Sequence, residues 1–230
     1  MRSPQEEKAR ISTSENFNSP DVEQVGEMST NEGPAHHSGI GNPGPLGSFS
    51  FASTLFVLSL YTVHTRGIKT PNVIVGMSLF TGGLTVFISG MWQFPRGNVF
   101  GGTIFASYGS FWMSYAMIFI PSTGILAAYN DNPAELSNAL GIYLSAWVML
   151  TFFFFLNVLR QSISQSFLLA TLTIAFGCLA GAEFTQNATA TKTGGALGIM
   201  GALIAYYIGL SELFASERRP FLRLPLGMLS

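Results

Sequence analysis

Charge is what this sequence has least of. Only 10% of its residues are Asp, Glu, Lys or Arg, against about a quarter in an ordinary soluble domain. Apolar residues make up 48%, and there are 20 phenylalanines. So few charges could not solvate the surface of a soluble fold of this size. The formal net charge of −1 leaves no basic field for nucleic acid. A lone cysteine, Cys178, has no partner for an internal disulfide, and its apolar neighbours make it a small buried hydrophobe. The apolar runs contain no HExxH, GxSxG, P-loop, CxxC or paired-Asp motif. The expectation is a protein that is not an enzyme, with no cofactor and no metal.

The charges that exist are unevenly placed. Residues 1–41 hold Glu6, Glu7, Lys8, Arg10, Glu15, Asp21, Glu23, Glu27 and Glu32 among many Ser and Thr, with Phe17 the only aromatic. Such a segment buries too little apolar surface to offset its ordering entropy, so it reads as a disordered tail. It lacks the basic start and short apolar core of a signal peptide. His36 and His37 read as a solvated pair rather than a metal fragment.

Beyond residue 41 come apolar stretches of about 20 residues, the length that crosses a bilayer. They run Leu46–Thr65, Val73–Trp92, Gly101–Ile120, Ala139–Leu159, Phe167–Phe184 and Gly195–Phe214, with a shorter piece at Ile125–Tyr129. The reading is an all-α membrane protein: six transmembrane helices in residues 42–215, and a short cytosolic tail at 216–230. Six spans put both ends on one side. With the N-terminus inside, Arg96, Arg160, Arg218, Arg219 and Arg223 lie inside, and Arg66, Lys69 and Lys192 outside, which favours cytosolic termini. Asn187-Ala188-Thr189 is a glycosylation sequon on the outer side, close to the membrane. The spacing of Gly177 with Gly181 and of Gly194 with Gly198 lets helix backbones approach closely.

No Lys or Arg lies mid-span. The polar groups there are mostly hydroxyls, Thr54, Ser59, Thr62 and Tyr108 among them. A hydroxyl can donate to an anion, or bond back to its own helix. Glu183 and Glu212 stand near the ends of spans five and six, at a depth that suits solvated interfacial carboxylates as well as functional ones.

One stretch is unusual. "GNPGPLGSFSF", Gly41 to Phe51, crowds helix-disrupting residues at the mouth of the first span. Pro43 and Pro45 have no N–H and restrict their predecessors, while Asn42 is a good cap. The segment reads as a rigid, non-helical lead-in that starts helix one abruptly. Two readings stay open: a capped membrane turn, or an anion site at a helix N-terminus, with Gly44 and Gly47 clearing its approach.

These residues also carry a resemblance. "NPGPLGSFSF" resembles the N-P-A-P-L-G-L-x-x-F signature of the acetate uptake transporter family, the acetate and succinate permeases of bacteria and fungi. "GGLTVFISGMW", "GNVFGGTIFASYGSFW", "GIYLSAWVMLTFFFF" and "ALIAYYIGLSE" resemble later spans in order, so the match covers residues 41–215. The polar N-terminal tail is similar to the fungal branch. The resemblance implies a six-helix protomer in a hexamer, in a multi-pass plasma-membrane protein, with a pathway for acetate or another small carboxylate through each protomer. It implies that Phe51, Tyr108 and Leu172 form a narrow constriction and that Ala205 affects substrate range. Asn42, Pro43, Gly44, Pro45, Leu46 and Gly47 would line the cytosolic vestibule, and Thr54 joins the candidate pathway. The chain departs from the family pattern at Gly44, Ser48, Val86 and Gln93. Two other functions remain: ammonia or ammonium export, and a membrane sensor or scaffold that signals through its tail.

Overall fold

The structure, a computed structural model, describes residues 40–217, 222 and 224–227. The tail expected at 1–41 thus lies outside the described residues, Ile40 and Gly41 excepted. Six long helices follow: α1 (Gly44–Thr62), α2 (Ile74–Arg96), α3 (Val99–Phe119), α4 (Pro133–Val158), α5 (Ile163–Thr185) and α6 (Ala188–Ser216). Short 3-10 turns punctuate the connections at Thr65–Gly67, Pro121–Thr123 and Ala127–Tyr129. All of these helices but α3 are long and apolar enough to cross a membrane. The exception has 21 residues, about 31 Å of helix, but Gly, Ser, Thr and Tyr dilute its apolar content. The chain is an all-helical membrane protein.

Helix starts follow their caps. Asn98 Oδ1 accepts from Gly101 N at 2.8 Å to open α3, and Asn132 Oδ1 from Glu135 N at 3.2 Å to open α4. Asn187 Oδ1 accepts from Thr189 N and Ala190 N at 2.9 and 3.3 Å to open α6. An Asn side chain thus satisfies amides that the first turn leaves without partners. Helices α4 and α6 accordingly begin well before the apolar runs that revealed them. The sequon asparagine is this cap.

The proline-rich lead-in differs from expectation. Helix α1 already begins at Gly44, inside the motif. Asn42 Oδ1 takes the Gly44 N–H at 3.0 Å, and Gly47 N donates to Pro43 O at 3.1 Å. Pro45 falls in the first turn, where its missing N–H leaves no bond unmade.

The helices form a ring. Helix α1 packs on α6, α6 on α5, and α5 on α4; on the other side α1 packs on α2, and α2 on α3. Glycines set the closest approaches: a Cβ at Gly195 would meet Thr62 at 3.0 Å, and one at Gly109 would meet the Phe87 backbone at 2.5 Å. Of the two small-residue pairs noted in the sequence, Gly194 and Gly198 pack against Leu179 and Ser59, whereas Gly177 and Gly181 face open space. The seam between α3 and α4 is carried by aromatic side chains instead. Tyr108 stacks on Trp147 at 6.4 Å, and Phe111 meets Trp147 at 4.8 Å and Tyr143 at 6.1 Å. Within α2, Ser78–Thr85 widens into a π-helix, and Gly82 there lies against Thr54 of α1.

Candidate functional site

Two cavities occupy opposite ends of the ring's interior. The motif-side cavity, about 260 Å³, lies where α1, α3 and α5 begin and α2 and α6 end; its polar walls are Ser48, Gln93, Asn98, Gln161, Gln165 and Glu212. The far-side cavity, about 140 Å³, lies where α1 and α5 end and α6 begins; Ser59, Thr62, Tyr115, Glu183 and Thr191 are its polar lining. Neither cavity has a Lys, Arg or His in its wall.

Phe51 and Leu172 line both cavities and therefore stand between them. Tyr108 joins them from the motif side, its ring centroid 5.1 Å from that of Phe51. All three are buried. The Tyr108 hydroxyl donates to Thr151 Oγ1 at 3.0 Å, and Thr151 is itself fully buried. This bond fixes the tyrosine ring across the α3–α4 seam. Thr151 went unnoticed in the sequence, because a threonine inside "MLTFFFF" carries no signal beyond helix packing. Ala205 lines the motif-side cavity opposite these residues.

The other sequence candidates are placed differently. Asn42 caps α1 and lines a surface recess with Arg96, Ser211, Glu212, Ser216 and Leu226. Pro43, Gly44, Pro45, Leu46 and Gly47 line neither cavity. Pro45 and Gly47 are packed within the bundle, and Leu46 is exposed on the outside. Gly44 backs directly onto Glu212, where an added Cβ would lie 2.6 Å from Oε2. Thr54 is sealed from both cavities; its hydroxyl bonds back to Ser50 O at 2.9 Å.

Glu212, whose depth leaves interfacial and functional readings both open, lines the motif-side cavity and the recess outside it. Ser48 Oγ donates to its Oε2 at 3.4 Å. Two of the departures from the family pattern, Gly44 and Ser48, therefore touch this carboxylate. A third, Gln93, shares its cavity and accepts from Asn98 Nδ2 at 3.2 Å. Val86 is buried and lines neither cavity.

The C-terminal segment is more than a tail. Ile163 N and Ser164 N, at the start of α5, donate to Gly227 O and Leu226 O at 2.9 and 3.2 Å. Ser162 Oγ, Tyr207 Oη and Ser211 Oγ donate to the carbonyls of Leu226, Pro225 and Leu224. Residues 224–227 thus strap the start of α5 to the end of α6, beside Glu212.

A bundle of this kind has counterparts. A solved structure described as "Structure of the bacterial acetate channel SatP" superposes with a TM-score of 0.71 at 31% identity, covering 82% of this chain and 99% of that one. Ammonia transport outward protein 2 of Saccharomyces cerevisiae is 42% identical over 174 residues, which cover 76% of this chain and 62% of that protein. Acetate permease A of Emericella nidulans is 33% identical over 192 residues, 79% of this chain and 64% of that protein. The chain thus matches less than two thirds of either fungal protein's length. The family model described as GPR1/FUN34/yaaH matches residues 25–230, a stretch that takes in all six helices, both cavities and the strap, and the chain belongs to that family.

Proposed function

We propose that this protein carries acetate or a similar short monocarboxylate across a membrane, one pathway per protomer. The carrying observation is the pair of cavities at opposite ends of the ring, divided by Phe51 and Leu172 with Tyr108 beside them. An apolar neck of this kind admits a small organic acid whose methyl end tolerates the rings. It bars strongly hydrated ions, which would lose their water there without replacement. The acetate channel and acetate permease among the relatives support the substrate class. On this reading all six helices span, the termini are cytosolic, the membrane is the plasma membrane, the assembly is a hexamer, and no catalytic step is involved. The test is uptake of labelled acetate by the purified protein in liposomes, with and without an imposed pH gradient. Vesicles as tight to acetate as bare lipid refute the reading.

A second reading has its own support. Each cavity holds one carboxylate, Glu212 or Glu183, and no basic side chain, a balance that suits a cation. The relative named for outward ammonia transport points the same way. Counterflux of labelled acetate against methylammonium separates the two readings.

A further inference from the structure

Buried polar atoms find hydrogen-bond partners in nearly every folded protein, so each orphan calls for a reason. Among the described residues two buried side-chain atoms have none: Ser78 Oγ and Trp112 Nε1. Ser78 lies in the π-helical part of α2 and lines neither cavity. Trp112 is different. It is 1% exposed, lines the far-side cavity, and packs edge-on against Phe51 with ring centroids 6.5 Å apart. An indole N–H only donates, and no rotation can turn it into an acceptor.

The surroundings sharpen the point. Tyr108 and Trp112 are one helical turn apart on the same face of α3. Phe51 and Leu172 have no donors. The Tyr108 hydroxyl is already committed to Thr151 at 3.0 Å. Further out, Thr62 and Thr191 return their hydroxyls to the backbone of their own helices, at Leu58 O and Asn187 O. Ser59 and Tyr115 line the same cavity with hydroxyls that, among the described residues, have no partner either, but the indole N–H is the fully buried unpaired donor packed directly on Phe51. A carboxylate entering from the motif side loses water there and gains nothing from the rings.

We propose that Trp112 Nε1–H, covered in this structure, becomes a binding subsite for one carboxylate oxygen on the far side of the neck when the rings around it part to admit substrate. This rests on the carboxylate-transport reading above.

The test uses the full-length protein in liposomes and in detergent. Trp112→Phe keeps an aromatic wall and removes the donor; benzothienylalanine at position 112 keeps the full bicyclic shape and replaces N–H by sulfur. Both are expected to raise the KM for acetate about tenfold, as the loss of a hydrogen bond to a charged group does. Both are also expected to lose most of the rise in melting temperature that acetate gives the parent protein. The acetate-free melt of the benzothienyl variant is expected to stay at the parent value, since no satisfied bond has been removed. Trp112→His, which retains a ring N–H, is expected to recover part of the affinity. A parent protein that takes up acetate, with a benzothienyl variant of unchanged KM and unchanged acetate-dependent melting, overturns the subsite alone. A parent protein inert to acetate overturns the transport reading, and the subsite with it.

Discussion

The backbone of Gly44 and the carboxylate of Glu212 occupy neighbouring space with no room for a methyl group between them: a Cβ at position 44 would lie 2.6 Å from Oε2. The obstructing atom is the far end of a flexible side chain, so Gly44→Ala is expected to fold, with a stability change of about 1 kcal/mol or less. What changes is the carboxylate, which must leave the Ser48 hydroxyl it accepts from at 3.4 Å. Transport by Gly44→Ala should therefore shift in Glu212-bearing protein and stay unchanged in a Glu212→Ala background. A double-mutant cycle on acetate uptake measures that coupling.

Glu212 also sets a charge rule for the motif-side cavity, whose wall contains no other Asp or Glu and no Lys, Arg or His. In its ionised form, at about 6 Å and an effective dielectric of about 20, this carboxylate repels a monoanion by roughly 3 kcal/mol and a dianion by about twice that. Removing the charge relieves the dianion more. Glu212→Gln is therefore expected to raise the ratio of succinate to acetate uptake at neutral pH. A ratio that stays the same or falls removes Glu212 from selectivity.

At the neck, hydroxyl and ring make separable contributions. Tyr108→Phe keeps the ring and strips Thr151 of its donor at a buried site, so a loss of about 1 kcal/mol of stability is expected, with acetate uptake retained. Phe51→Ala opens the wall between the cavities. It is expected to cost about 3–5 kcal/mol as a large-to-small core change and to admit bulkier acids such as butyrate. Thermal melts and a substrate series on the two variants separate these effects.

How far the sequence spoke depends on the residue. Apolar runs and their punctuating prolines disclosed the helices, because a bilayer demands a minimum apolar length. The expectation of a constriction at Phe51, Tyr108 and Leu172 rests on the resemblance alone: Phe51 and Leu172 are buried apolar residues on helices, and nothing in their spacing separates a pathway wall from ordinary core. Gln93, Asn98, Gln161 and Gln165 sit near span ends, where a polar residue carries little local signal, and the depth of Glu212 leaves interfacial and functional readings both open. These residues meet in one cavity because helix ends from four different parts of the chain converge there. Local patterns do not encode that convergence. The π-helical stretch Ser78–Thr85 likewise left no trace in the sequence; within it Gly82 lies against Thr54, a tertiary approach that local patterns do not encode.

The C-terminal strap carries the last prediction. A helix N-terminus leaves amides without intrahelical partners. At α5 the Ser162 side chain approaches Gln165 N at 3.5 Å, while Gly227 and Leu226 carbonyls take the Ile163 and Ser164 amides. Ending the chain after Phe221 removes those acceptors, and with them the carbonyls that hold Ser162, Tyr207 and Ser211. The expected result is a lower melting temperature and faster hydrogen exchange in the first turn of α5, with exchange in the middle of α3 unchanged. Because Leu226 shares the surface recess with Glu212, the same truncation opens that carboxylate to water. The charge rule should then weaken in the direction of Glu212→Gln, by a smaller amount, because hydration screens a charge that substitution removes. Tyr207→Phe combined with Ser211→Ala loosens the strap without shortening the chain. It should show the exchange effect at α5 in milder form, and unchanged exchange there would mean that the strap's backbone bonds hold without its side-chain anchors.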